Sequence, residues 1–133
     1  LTYKPSNDAR STGETLEHIY GLSLMIRNSS EGKANIRPSD WSGMSAEDFR
    51  TQTLSNLEIA SKNYAGMDSE AVANLNITFQ SESGSRNFPF WNMLNGPLAD
   101  ALYHTGQIVS FRRASGNPID SGVNVFMGKT REK

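Results

Sequence analysis

Asp100 and His104 stand four residues apart, a carboxylate and an imidazole on one side of a helical turn. Two kinds of chemistry use such a pair. The two side chains can donate to one divalent metal ion, leaving positions for a third ligand and for water or substrate. They can equally hydrogen-bond to each other and do nothing more, as polar pairs one turn apart do on many helices. The other histidine of the chain, His18, reads by itself as a histidine at the edge of a core. Gln107, close to His104 on the same stripe, can orient a ligand or pack as an amide between helices. The chain has no cysteine, so thiolate nucleophiles, thiolate metal sites and disulfides are excluded.

The stretch from Phe88 to Arg113 must position the pair. A helix is expected from about Asn95 or Gly96, with Pro97 in its first turn; an earlier start with a kink at Pro97 is the alternative. Ser115-Gly116-Asn117-Pro118 should end it. Met93, Asp100, His104, Gln107 and Phe111 then share a stripe, with Phe90, Leu94, Ala101 and Ile108 beside it. His18 belongs to a second helix, capped by Ser6, Asn7 or Asp8 and running to about Asn28, on which His18, Leu22 and Met25 share a face. Gly21 weakens this helix and permits close packing. Residues 28–43 read as a linker anchored by Trp41. Ser45 and Asp48 form a capping box for a third helix ending at Ala65 and Gly66, with Phe49, Leu57, Ala60 and Tyr64 as its apolar stripe and Leu54 beside it. The second half of 71–79 alternates as a short strand does, 81–87 reads as a polar loop, and 123–127 as a short extended piece. Three helices with long connections predict an all-α bundle in a single domain, 1–133, with one helix absent or unrecognised.

Thirteen Lys and Arg against 14 Asp and Glu leave no basic field for nucleic acid. No apolar run approaches the ~20 residues of a membrane span.

The residues Ala99-Asp-Ala-Leu-Tyr-His-Thr-Gly-Gln-Ile108, with Arg112 and Arg113 after them, resemble the last helix of the DinB-like superfamily, bacterial four-helix bundles also called YfiT-like putative metal-dependent hydrolases. Lys4-Pro5, Arg10 and Glu14-Thr-Leu-Glu-His-Ile19 resemble the start of that family's second helix, which carries its first metal-binding histidine. The resemblance runs through the chain in order and is most specific in the last helix. It implies a DinB/YfiT-like four-helix bundle whose first helix would precede Leu1, so the native gene product is expected to be longer than this chain.

The resemblance further implies a metal triad of His18, Asp100 and His104. Asp100 stands where the family usually has a histidine, a departure that makes the site more negative or marks a subgroup that has lost its metal. The cofactor implied is a divalent transition metal, Zn or Ni first, Fe or Mn next. The activity implied is that of a metal-dependent hydrolase or a low-molecular-weight-thiol transferase acting on a small molecule, in a cytoplasmic homodimer. Gln107 and Glu14 are the residues placed to support the ligands or meet the substrate, Glu14 being one turn from His18. A metal-free small-ligand-binding or dimerising bundle is the alternative.

Overall fold

The structure, a computed structural model, describes residues 1–131. Its first long helix, α1 (Thr12–Ser30), begins at a reciprocal cap: the Ser11 hydroxyl accepts from the Glu14 amide at 3.2 Å, and the Glu14 carboxylate accepts from the Ser11 amide at 2.6 Å. This box corrects the expected start at residues 6–8, where the chain instead turns, Ala9 donating to the Ser6 carbonyl. Lys4 lies 3.4 Å from the Glu14 carboxylate. The Ser11 amide, then the Ser11 hydroxyl and Lys4, hold the Glu14 carboxyl at a pKa of about 2, below its usual 4.5. A value depressed in the folded state stabilises above the unfolded pKa and is lost as pH falls through the folded one. Glu14→Gln should therefore melt below the wild type at pH 7 and converge with it near pH 2. The gap is small, because the carboxylate is half exposed. Thermal unfolding followed by circular dichroism at the two pH values checks this; an undiminished gap at pH 2 would contradict it.

Helix α2 (Ala46–Ala65) starts and stops where the sequence places it, between the Ser45–Asp48 box and Gly66. Its buried face differs from the expected stripe. Phe49, Asn56 and Ala60 are buried, whereas Leu54 and Leu57 are exposed. Asn56 takes the inner position because α1 offers it polar partners: its amide donates to Ser23 Oγ at 3.1 Å and its oxygen accepts from Arg27. Trp41 anchors the linker, packing edge-on against Tyr20. Gly21 is required there, since a Cβ at that position would lie 2.6 Å from the Trp41 ring.

A small sheet departs from the all-α expectation. After a short helix α3 (Ser69–Ala73), β2 (Asn76–Ser81) pairs antiparallel with β3 (Gly84–Pro89) and parallel with the short β1 (Asn35–Ile36). The polar stretch 81–87 is thus a tight turn and a strand. Its side chains are exposed, so no apolar alternation marks it, and Gly84 at φ +122° makes the turn. Ile77 of β2 enters the core with Ile26, Ala60 and Met93, flanked by Tyr64, Phe79 and Phe90.

The last helical stretch begins earlier than Asn95. A turn α4 (Trp91–Met93) leads through a wide π segment (Leu94–Leu98) into α5 (Ala99–Ala114). The bend lies at Gly96 and Pro97 because proline lacks the N–H and its ring excludes the carbonyl four residues back. Of the expected stripe, Met93, His104 and Phe111 are buried. A hairpin of β4 (Val123–Asn124) and β5 (Lys129–Thr130) follows. The molecule is mostly helical, and none of its described helices is long and apolar enough to cross a membrane.

Candidate metal centre

Helices α1 and α5 pack side by side, and their facing turns bring His18 together with Asp100 and His104. The kink at Gly96–Pro97 sets the direction of α5, so Asp100 in its first turn faces α1. Asp100 spans the two imidazoles: Oδ2 lies 3.1 Å from His18 Nε2, and Oδ1 lies 3.2 Å from His104 Nε2. The two rings meet edge to face, with centroids 4.6 Å apart. His104 is the buried member, 10 % exposed in its side chain, while Asp100 at 42 % opens to solvent.

Hydrogen bonds fix the chemical state of His104. Gln107 donates through its amide nitrogen to the Tyr103 hydroxyl at 3.1 Å, which turns its oxygen toward His104 Nδ1 at 2.7 Å. Gln107 Oε1 can only accept, so Nδ1 is the nitrogen that donates to it, and in the neutral ring this leaves the Nε2 lone pair toward the Asp100 carboxylate. A lone pair beside an anion at 3.2 Å is suited to a cationic partner: the Arg10 guanidinium approaches the same Nε2 to 3.5 Å, and a proton or a metal ion between Nε2 and the carboxylate would serve as well. The donor atoms of the three side chains all lie within 4.8 Å of one another. Bonds of ~2.0–2.1 Å around a tetrahedral ion place donors about 3.3 Å apart, close to the two carboxylate–imidazole distances. Two imidazoles and a carboxylate form a group that can hold a metal ion and leave coordination positions open.

Glu14 does not join them. Although one turn from His18 in sequence, its carboxylate is engaged by Ser11 and Lys4. Gln107 does reach the cluster. Replacing it with Leu should leave α5 folded and weaken Zn²⁺ affinity about 10- to 100-fold, the usual effect of losing a bond that orients a ligand. Isothermal titration reads this directly; unchanged affinity would make Gln107 a packing amide only.

Two residues to which the sequence assigns no site role also reach the centre. Tyr103 is exposed and orients Gln107 from one turn away, a relation visible only once Gln107 is known to support His104. Arg10 lies in the irregular segment before α1, where no periodicity points to it, and its Nη1 comes to 3.5 Å from His104 Nε2. Arg112 turns away to the carbonyls of Asn117 and Pro118 at the end of α5.

No protein-family model and no curated protein matches the sequence. Among solved structures, the chain is similar to the crystal structure of a DinB-like protein (YjoA) from Bacillus subtilis, with a TM-score of 0.57 and 16 % identity over 86 % of this chain and 75 % of that one. At that identity the likeness is one of fold, and the fold of this chain is DinB-like.

Proposed function

We propose that this chain is a DinB-like, metal-dependent enzyme of the hydrolase or low-molecular-weight-thiol transferase type. His18, Asp100 and His104 hold a divalent transition ion, Zn²⁺ or Ni²⁺ before Fe²⁺ or Mn²⁺. The observation that carries this reading is the convergence of His18 with Asp100, 82 residues away in the sequence, and with His104, the ligand atoms of all three lying within 4.8 Å of one another between α1 and α5. A bound ion supplies Lewis acidity, lowering the pKa of a coordinated water or thiol into the neutral range. The chain's own residues do the rest. Asp100 offsets the ion's charge, Gln107 and Tyr103 keep the proton of His104 on Nδ1, and the exposed side of Asp100 admits a small molecule.

The four-helix architecture belongs to the same proposal. Helices α1, α2 and α5 leave a cleft of about 230 Å³ lined by Leu16, Ile19, Leu54 and Ile108, the place a fourth helix would fill. A homodimer and a cytoplasmic setting complete the reading, the first supported by the exposed Leu94, Leu98 and Leu102.

The test compares Zn²⁺- or Ni²⁺-loaded protein with chelator-stripped protein on two reactions: hydrolysis of p-nitrophenyl acetate, and conjugation of cysteine to monochlorobimane. Metal-dependent turnover of either, lost in His18→Ala, supports the enzyme. Equal background rates for loaded and stripped protein on both would contradict it.

A further inference from the structure

Arg10 gives the candidate centre a charge that the triad does not need. Its guanidinium is solvent-exposed and has no carboxylate within ion-pair distance among the described residues. Among the described residues its one polar side-chain contact is the 3.5 Å approach to His104 Nε2, a long and weak hydrogen bond. With Tyr103, His104, Gln107 and Phe111 it lines a cleft of about 300 Å³ that contains no acidic side chain. Tyr103 forms a wall shared with a second, open cleft of about 540 Å³, where Leu22, Met25, Phe79 and Pro97 lie beside Asp100. The centre thus lines both clefts, His104 the one that holds Arg10 and Asp100 the largely apolar one.

A cation with free donors beside an acid-free, half-polar cleft is suited to an anion. A planar carboxylate matches the two parallel N–H groups of a guanidinium, which makes it the better partner for Arg than for Lys. The apolar cleft can cover a short hydrocarbon body at the same time. We propose, resting on the metal-centre reading for the location of the reacting group, that the substrate is a small carboxylate: Arg10 holds its anionic end, and its apolar body crosses Tyr103 toward Met25 and Pro97. Arg10 is then the residue that determines specificity, and it lies outside the metal ligands.

The test uses hexanoate and its neutral isostere hexanamide as probes, titrated into wild type, Arg10→Ala and Arg10→Lys by ¹⁵N-resolved NMR. Each protein is studied both chelator-stripped and Zn²⁺-loaded, and its metal content is measured separately. Wild type should prefer hexanoate by at least about tenfold in both forms, the scale of a hydrogen bond to a charged group, with shifts at Tyr103 and Gln107. Arg10→Ala should abolish the preference, and Arg10→Lys should retain part of it. Equal binding of the two probes by wild type, no binding of either, or a preference that survives in Arg10→Ala would overturn the proposal. A preference seen only with Zn²⁺ and indifferent to Arg10 would also overturn it, while leaving the metal centre intact. An Arg10-dependent preference in a protein that takes up no metal would support the anion site and reject the metal centre. Arg10 is exposed, so matching spectra elsewhere in the chain confirm that the variants fold.

Discussion

His104→Ala should weaken binding of a divalent transition metal by roughly a hundred- to a thousandfold, as removal of one of three protein ligands does when the full donor set contributes on the order of ten kcal/mol. Of the three proposed ligands, His104 is the one whose loss should matter most, because it is buried and held by Gln107. A water can replace an exposed ligand such as Asp100 more readily than a buried imidazole. The helices should survive, since the core cluster of Ile26, Ala60, Ile77 and Met93 does not include the site. His104→Gln, closer in size, controls for the space left behind. Metal titration with parallel circular dichroism separates the outcomes: folded protein with undiminished affinity would show that the metal binds elsewhere.

Ile77→Ala should destabilise the fold by about 2–5 kcal/mol, the range for truncating a fully buried aliphatic side chain. Ile77 is 2 % exposed and is the residue through which the sheet enters the helical core. Its neighbours across that core come from α1, α2 and α4, so the cavity would be walled by three elements that cannot all close on it. Chemical denaturation reads the loss. A cost below about 0.5 kcal/mol, the level of an ordinary surface change, would mean that the sheet is an appendage and not part of the core.

The sequence disclosed the parts of this fold that local chemistry dictates. The Ser45–Asp48 cap, the Gly66 stop and the buried His104 and Phe111 on one face of α5 follow from capping geometry and helical period, and the structure has them. The equivalent Ser11–Glu14 box was equally readable, but the earlier Ser6, Asn7 and Asp8 compete for the same role in the sequence. Strand β3 was hidden because its side chains are exposed along its length, so it carries no alternation. Asn56 displaced Leu57 from the α2 interface for a reason found on another helix, in Ser23 and Arg27. At the site, spacing alone paired Asp100 with His104. Joining them to His18 took a family resemblance in the sequence and the packing of α1 on α5 in the structure. The family resemblance includes Arg10 and Tyr103 but assigns neither a role; that of Arg10 depends on tertiary placement, and that of Tyr103 on Gln107 being turned toward His104.

The most direct measurement is elemental analysis of the protein purified without a histidine tag, alongside its His18→Ala and His104→Ala variants. A metal centre built from His18, Asp100 and His104 predicts about one equivalent of a transition metal in the wild type and a large loss in both variants. Wild-type protein that carries no metal and takes up neither Zn²⁺, Ni²⁺ nor Mn²⁺ on titration would contradict it, and would leave Asp100 bridging two imidazoles through protons alone.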